Sequence, residues 1–400
     1  MGIFNKLLNQ QSSLSEPSQW FTSLLGGSST YAGKKVTEES AMAYTAVYAA
    51  QKVIAETIAS LPLPVYQRLE GGGKERAPNH YLYHILHDQA NSEMTAFTFK
   101  ELIQHHILSW GNGWAEIEYD RAGRVRGLWP LNPSHTWMER NQKNKKLEVY
   151  TILPDGQAVK LPRERVFHIP GLGDGLVGKS PIRMHQETIG LGKAVEEFGA
   201  RFFGDGANPG GIVEYPGRMS DEAYERFRKD IREKHSGLGK SHRLMVLEEG
   251  LKYHQTGIPP EEAQFLETRK FQLGEIARIY RVPPHMIGDL DRSTNNNIEQ
   301  QSIEFVVHTI RPWLVRWEQA IKMQLIPLHQ KKKYFAEFLV DGLLRGDIKS
   351  RYDAYAVGRQ NGWLSSNDVR AMENQNPIPN GDVYEVNGNM KPLGSDQGGD

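Results

Sequence analysis

The chain has 400 residues, 48 basic and 48 acidic side chains, and no cysteine. This length exceeds what one hydrophobic core usually holds, so we expect two or more substructures. A net charge of zero argues against a dedicated high-affinity nucleic-acid binder, and the lack of cysteine excludes disulfides, thiolate nucleophiles and cysteine zinc sites. No apolar run approaches the roughly 20 residues that span a bilayer, and the N-terminal MGIFNKLLNQ lacks the apolar core of a signal peptide, so we expect no membrane partner.

The first part of the chain mixes helical and strand patterns. Residues 1–36 are rich in Ser, Gly and Gln without a sustained period, which predicts a mobile arm. A helix is predicted to begin after Thr37 as its N-cap and to continue to Ile58. The patterns that follow predict an α+β block rather than a regular alternation of strand and helix. Its predicted helices are residues 81–87 and 95–110, and its predicted strands are residues 63–69, 114–119, 124–130, 147–153 and 159–169.

Two long helices flank a small insert in the middle of the chain. The first is predicted over residues 181–203, with Ser180 as its N-cap, and the second over residues 261–281, ending before two prolines. The glycines of the first helix predict either a weak helix or close helix packing. The insert has a β-α-β-β pattern: strands at residues 211–215, 244–248 and 251–255, and a helix at residues 221–235.

A polar loop, residues 283–296, separates the second long helix from a third one. Asn297 is the predicted N-cap of the third helix, which begins at Ile298 and is expected to kink at Pro312. The loop has no obvious apolar anchor. A strand at residues 335–340 and two short helices follow, the second with a capping box between Ser365 and Asp368. We expect residues 377–400 to be loose.

Residues 173–180 match the phosphate-binding pattern G-x-x-x-x-G-K-[ST]. In a P-loop NTPase, the loop amides would hold phosphates, Lys179 would reach the terminal ones and Ser180 would ligate magnesium. However, Pro170 and Pro181 interrupt the flanking strand and helix, and the surroundings are not a βαβ series. The competing interpretation is a glycine-rich turn that caps a helix.

Two further patterns each allow a structural and a functional interpretation. His80, His84 and His87 share a helical face, and Glu101 pairs with His105, so a zinc site can be drawn, although the chain lacks an H-E-x-x-H motif. The default interpretation is partly buried surface. The helix at residues 221–235 alternates acidic and basic residues, which is typical of a solvated face with i,i+4 pairs. Its functional interpretation is a partner-docking face formed by Arg226, Lys229, Arg232 and Lys234.

Five ordered segments resemble the portal proteins of tailed bacteriophages. Each is short, but together they extend over residues 37–385 in the order found in that family. In that family the segment around Gly178, Ser180 and Pro181 is a structural turn that leads into a helix, which makes the phosphate-loop match a coincidence. The segments are AVYAAQKVIAETIASLPLPVY (46–66), GLVGKSPI (175–182), RIYRVPPHMIG (278–288), GWLSSNDVR (362–370) and PIPNGD (377–382).

The resemblance implies an α+β subunit of several named parts. The stem consists of two long helices that flank a small β-α-β-β clip, and a tunnel loop faces the central channel of a ring. The implied parts are a mobile arm (1–36), an α/β wing (37–180, with a long kinked helix and wing return at 297–345), stem helices (181–208 and 259–282), the clip (209–258), the tunnel loop (283–296), a short helical crown (346–376) and a loose tail (377–400).

The implied function is non-enzymatic and requires no cofactor or metal. Such proteins are made in the host cytoplasm and form a ring, usually of twelve subunits, at one vertex of the capsid. Double-stranded DNA passes through the ring, and terminase docks on the clip; the major capsid or scaffolding protein and a head-tail adaptor are the other partners. A loop of mixed charge suits moving DNA, because every phosphate contact must be broken again. The expected channel residues are Asp289, Asp291, Arg292, Asn295, Asn296 and Asn297.

Overall fold

The computed structural model describes residues 29–141, 144–204, 211–214, 216–217, 220–234, 252–255, 262–290, 295–340, 348–373 and 375–385. The chain divides into two compact units, Met1–Phe338 and Leu339–Asp400. Several predicted features lie outside the described residues: the arm up to residue 28, the strand at residues 244–248, the segment 341–347, Asp291 and Arg292, and the tail beyond residue 385.

Helices and strands alternate irregularly along the chain, as the predicted α+β class requires. In chain order the first unit contains α1 (Glu38–Ala41), α2 (Thr45–Ser60), β1 (Val65–Arg68), β2 (Lys74–Arg76), α3 (Tyr81–His87), α4 (Ala96–Trp110), β3 (Asn112–Tyr119), β4 (Val125–Leu131), β5 (Thr136–Arg140), β6 (Leu147–Ile152), β7 (Ala158–Leu161), β8 (Val166–Pro170), α5 (Pro181–Met184), α6 (Gln186–Gly204), β9 (Gly211–Glu214), α7 (Asp221–Lys234), β10 (Lys252–Gln255), α8 (Glu262–Tyr280), α9 (Asn295–Glu304), α10 (Arg311–Gln324) and β11 (Tyr334–Ala336). The second unit contains α11 (Ile348–Gln360) and α12 (Ser366–Met372).

The core of the first unit lies between helices and a three-stranded sheet. α2 packs against α4, and α4 packs against β3, the middle strand of the antiparallel sheet β4-β3-β8. α10 packs against β8, and the indole Nε1 of its buried Trp317 donates to Gln104 Oε1 at 2.9 Å. Burial of these large apolar side chains is the main stabilising contribution. The fully buried ones include Ile54, Ile58, Ile103, Ile107, Trp114, Phe167 and Trp317.

The predicted strand at residues 159–169 is wrong, because it is two strands in two sheets. β7 pairs with β6, whereas β8 pairs with β3. Pro162 and a 3-10 turn at Arg163–Arg165 separate them, since proline has no amide proton to continue a ladder. β5 was not predicted; it pairs with β6, and Trp137 stacks on Tyr150 with ring centroids 5.4 Å apart. β11 pairs with β1, so the return strand is confirmed in a shorter form.

Tertiary packing also changes the predicted N-terminal helix. A capping box between Thr37 and Ser40 starts α1, but the helix stops at Ala41 and α2 begins only at Thr45. Tyr44 between them is extended, and its buried ring lies against Gly192 of α6. Residues 29–36 are likewise not a mobile arm: Ser29 bridges to Lys35, and Thr30 is buried.

The predicted first long helix is divided at His185, whose φ of −118° and ψ of 25° end α5 before α6 begins. Ser180 caps α5 as predicted, with its hydroxyl accepting from the Arg183 amide at 3.1 Å. The α6 glycines allow close packing: a Cβ at Gly192 would lie 2.7 Å from the Tyr44 ring, and one at Gly199 2.6 Å from Phe265. The glycines therefore allow close packing, but the neighbours of Gly190 and Gly192 are Thr30 and Tyr44, which lie outside helices, and helix-on-helix contact is made at Gly199.

The third long helix begins at Asn295, three residues before the predicted start at Ile298, so Asn297 is not its N-cap. A π-helical stretch, Phe305–Ile310, separates α9 from α10 where a kink was expected. Pro312 in the first turn of α10 cannot donate to the carbonyl four residues earlier, which favours a wider turn at this point. No described helix has both the length and the apolarity that crossing a bilayer requires.

In the second unit, the Ser365–Asp368 capping box is confirmed. The expected loose tail is wrong for residues 377–385, because Asn367 holds this segment. Its Oδ1 accepts from the Ile378 amide at 2.8 Å, and its Nδ2 donates to Asp382 Oδ1 at 3.0 Å. The Asn367 amide also donates to the Gly381 carbonyl at 2.8 Å.

Candidate channel loop and docking helix

The candidate channel loop leaves α8 through a tight helix C-cap. Arg281 adopts a left-handed conformation with φ of 55°, which is uncommon for a residue other than glycine. The Val282 amide then donates to the Ala277 carbonyl at 2.9 Å, and the Val282 side chain is buried. From π-helical Phe305–Ile310, Thr309 Oγ1 donates to the Arg281 carbonyl at 2.6 Å. The exit of the chain from α8 is therefore fixed on both sides.

The first half of the loop is anchored, in contrast to the sequence expectation. Pro284–Ile287 form a 3-10 turn that packs against α2. The Asp289 amide donates to the Pro284 carbonyl at 3.0 Å, and the His285 ring Nδ1 lies 2.8 Å from Gln301 Oε1 of α9. Gly288 reverses the chain with φ of 94°. The proline and methionine of this turn are the residues from which the sequence could have predicted an apolar anchor.

The predicted channel residues are divided between a loop and a helix. Asp289 is half-buried at the end of the anchored turn, next to an exposed Leu290. Asn295, Asn296 and Asn297 form the first turn of α9 instead of lying in a loop. Asp291 and Arg292 lie outside the described residues. Between the 3-10 turn, which ends at Ile287, and residue 291, the described part of the loop therefore consists of residues 288–290.

A buried polar network holds the end of α8 behind this loop. Gln51 of α2 donates through Nε2 to the Tyr280 hydroxyl at 2.8 Å, and its Oε1 accepts from Ser109 Oγ at 2.9 Å. The His105 ring Nδ1 lies 2.9 Å from the same Oε1. Burial lowers the pKa of His105, which keeps the ring neutral, and raises the pKa of Tyr280 to about 12. Sequence patterns did not identify this network, because Gln51 occupies an apolar helix face.

The candidate docking helix α7 belongs to the insert, in which β9 pairs antiparallel with β10. Arg226 and Lys229 are exposed, one turn apart. Arg228 forms an ion pair with Glu225 at 3.4 Å, as expected for a solvated face. Arg232 and Lys234 lie in the last turn of the same helix.

The phosphate-loop interpretation is wrong, because the loop amides are already engaged within the protein. Asp174 Oδ1 accepts from the Leu176 and Val177 amides at 2.8 and 2.7 Å. The Gly178 amide donates to Asn112 Oδ1 at 2.8 Å, and the Lys179 amide to the Leu172 carbonyl at 2.8 Å. The Ser180 hydroxyl donates to the Ser109 carbonyl at 2.7 Å. The segment is a structural turn.

The histidines considered for a metal site have other partners. His80 caps α3 by accepting from the Leu82 amide, while His84 and His87 both contact Asp88 at 3.0 and 2.6 Å. These contacts lower the pKa of the Asp88 carboxyl, the hydrogen bond to His87 having the largest effect. In the part of the chain that the structure describes, no group of three or more His, Asp or Glu side chains is arranged to hold a metal ion.

Comparison with known proteins covers most of the chain. A sequence model of the family described as "Phage portal protein" matches residues 45–374. The "Probable portal protein" of Streptomyces phage phiC31 is 36% identical over 388 residues, which are 92% of this chain and 83% of that protein. The "Portal protein" of Enterobacteria phage HK97 is 31% identical over 353 residues, which are 87% of this chain and 82% of that protein.

The fold is also similar to that of a chain in a solved particle. In the "Neck of native GTA particle computed with C12 symmetry", that chain aligns with a TM-score of 0.57 and 21% identity. The alignment covers 85% of this chain and 94% of the other. At this level of identity the likeness concerns the fold alone.

Proposed function

This chain belongs to the phage portal protein family, and we propose that its subunits form a ring at one capsid vertex through which double-stranded DNA is packaged and ejected. The observation that carries the proposal is the family match over residues 45–374, which includes α6, α8 and the channel loop. The C12 symmetry of the GTA neck supports twelve subunits. The chain would then be a structural component of the virion, made in the host cytoplasm, with no catalytic activity of its own.

The test is electron microscopy of the purified protein. Rings with a central hole are expected, with a mass that is a fixed multiple of 45.4 kDa in native mass spectrometry. A monomer at micromolar concentration would contradict the proposal. As a control for the phosphate-loop motif, wild type and Lys179→Ala should show the same background release of phosphate from ATP.

We assign the part names of the family to this chain as part of the proposal. The stem consists of α6 and α8, the clip lies between them, the wing surrounds the α2–α4–β3 core, and the crown corresponds to the second unit. The tunnel loop extends from Pro283 to the start of α9 at Asn295. In this arrangement the asparagines of α9 contribute to the channel from the end of a helix.

We expect Asp289→Asn and Arg292→Ala to change the amount of DNA retained per particle while rings still form. The reason is that a ring repeats each side chain about twelve times, so a small change in phosphate attraction is multiplied around the channel. DNA per particle is measured by quantitative PCR after nuclease treatment. Asp155→Asn, on the exposed turn between β6 and β7, is the charge-matched control. Unchanged DNA content in both loop variants would remove these residues from the channel.

The capsid or scaffolding protein and a head-tail adaptor are, in our proposal, further partners of the ring that bind away from α7. We further propose that α7 docks the large subunit of terminase through Arg226, Lys229, Arg232 and Lys234. Exposed Arg226 and Lys229 support an electrostatic contact with an acidic partner surface. Arg226→Glu with Lys229→Glu is expected to slow terminase association at least about tenfold in low salt. Biolayer interferometry at two salt concentrations measures this, with Glu222→Lys on the same helix as control. Equal rates for wild type and double variant would contradict the assignment.

A further inference from the structure

Two helix faces of the α6–α8 hairpin carry large apolar side chains exposed to solvent. On α6, Leu191 is 44% exposed, and Ala194, one turn later, is half-buried. On α8, Phe271 is 59% exposed. One turn later, apart from the backbone of the helix itself, none of the described residues has an atom within 4 Å of the position of a Cβ on Gly274. A glycine inside a helix costs about 1 kcal/mol relative to alanine, so an unoccupied space beside Gly274 needs a reason.

The two faces point away from each other. At 3.6 residues per turn, Leu191 and Ala194 follow one line along α6. The line ends before Phe198, because the ring of Phe198 contacts Phe265 of α8 with centroids 6.1 Å apart. Two α6 residues that contact α8 lie on the other side of α6: Glu196 is 3.9 Å from Arg269, and Gly199 abuts Phe265. On α8, Phe271 and Gly274 are similarly opposite Phe265 and Arg269. The hairpin thus has two outer faces on opposite sides.

The register of the hairpin makes these faces complementary. The Glu196–Arg269 and Gly199–Phe265 contacts show that the helices run antiparallel and fix which residues share a level. Counting residues along both helices from these two contacts places Leu191 at the same height along the hairpin axis as Gly274, and Ala194 at the same height as Phe271. A large side chain on one face therefore matches a small residue on the other, twice in succession.

Charge follows the same register. Glu187 continues the α6 line and is level with Arg278, which continues the α8 line. Both also have contacts within the subunit: Glu187 Oε2 accepts from the Tyr31 amide at 2.9 Å, and Arg278 pairs with Glu275. An exposed ion pair adds little affinity, so its contribution would be to the register of the contact rather than to its strength.

We propose that α6 of one subunit packs against α8 of a second copy along these faces, with Leu191 over Gly274, Phe271 over Ala194 and Glu187 beside Arg278. This proposal rests on the proposed ring. A head-to-tail contact between two different faces forms a ring when the rotation between copies divides a full turn. Rotation about an axis parallel to the hairpin also keeps each residue at its own level. The space beside Gly274 is then filled by Leu191 of the second copy.

Disulfide cross-linking tests this contact without background, because the chain has no cysteine. The variant Leu191→Cys with Gly274→Cys should give, on oxidation, a non-reducing gel ladder that reaches the full ring. Within one subunit the two positions face opposite directions, so a monomeric band alone would count against the contact. The control Leu191→Cys with Glu267→Cys shifts one thiol by about 10 Å along α8, beyond the roughly 7 Å reach of a disulfide. It should give no ladder.

Exchanging the large and the small side chain between positions 191 and 274 provides the second measurement. Gly274→Leu should abolish rings without loss of the subunit fold, since the described residues outside the backbone of α8 leave the space around a Cβ at this position open. Adding Leu191→Ala should restore rings, as judged by electron microscopy and circular dichroism. If wild type forms rings but the double-cysteine variant gives no ladder and Leu191→Ala does not rescue Gly274→Leu, the proposed interface is wrong and the proposed ring is unaffected. Absence of rings in wild type would instead overturn the proposed function.

Discussion

Replacing Gln51 with leucine is expected to lower the free energy of unfolding of the first unit by about 2–4 kcal/mol. The leucine fits the volume but leaves the Tyr280 hydroxyl, the Ser109 hydroxyl and the His105 ring without their shared partner. Buried polar groups that lose a partner cost about 1–3 kcal/mol each, and neighbouring losses are not additive. Urea unfolding followed by tryptophan fluorescence measures the change.

The same substitution should loosen the channel loop. Tyr280 is the last residue of α8, so losing its partner releases the end from which the loop departs. Hydrogen exchange of the amides of residues 281–290 is expected to accelerate in Gln51→Leu. Tyr280→Phe, which removes one hydroxyl and leaves the other contacts, is the control and should cost about 1 kcal/mol. Equal stabilities of Gln51→Leu and wild type would show that the network contributes nothing.

Periodicity and capping residues predicted the elements whose signals are local. Helix α3 matches residues 81–87 as predicted, and Ser180, Thr37 and Ser365 cap their helices. In each case the residues that determine the structure are within four positions of each other. The resemblance, which depends on several such segments in order, was confirmed for the same reason.

The misassigned elements depend on contacts between distant residues. α1 and α2 do not form one helix, because Tyr44 between them is extended and packs its ring on Gly192, which no helical pattern near residue 44 could reveal. The division of β7 from β8 depends on which sheet each strand joins. The tail at residues 377–385 is held by Asn367, an ordinary helix residue by sequence. Local sequence signals indicate that a helix or strand exists. In these three cases, where the element ends and what it packs against depend on a residue far away in the sequence.

The channel loop shows the same limit at the candidate site. Its position after α8 and its polar residues were predicted, but its anchored half and the helical start at Asn295 were not. Arg281 takes a left-handed conformation that sequence would assign to glycine, because the Thr309 hydroxyl and the Val282 amide fix the chain there. The described part of the loop that is not anchored is accordingly shorter than the polar sequence indicates.

Replacing Lys100 with methionine is expected to raise the free energy of unfolding at pH 7 by about 2 kcal/mol. Lys100 is 5% exposed, and its ammonium donates to the Leu61 carbonyl at 2.6 Å and lies 5.8 Å from the centre of the Phe338 ring. Burial lowers its pKa from 10.5 to about 8. A shift of this size disfavours the charged folded state by about 3 kcal/mol, at about 1.4 kcal/mol per pKa unit, and the lost hydrogen bond offsets part of the gain.

The pH dependence separates this electrostatic cause from simple packing. Between pH 8 and 10.5 the unfolded chain binds more protons at Lys100 than the folded one, so wild-type stability rises with pH in that window. The advantage of Lys100→Met should therefore be full below pH 8, decrease as the pH rises, and become a disadvantage of about 1 kcal/mol near pH 10.5, where only the lost hydrogen bond to the Leu61 carbonyl remains. Buried tyrosines such as Tyr81 and Tyr280 titrate equally in both proteins, so their effects cancel in the difference. Lys52→Met, on the exposed side of α2, should change stability by less than about 0.5 kcal/mol at every pH. A gap between Lys100→Met and wild type that stays constant from pH 7 to 10.5 would mean that packing, and not the buried charge, accounts for the gain.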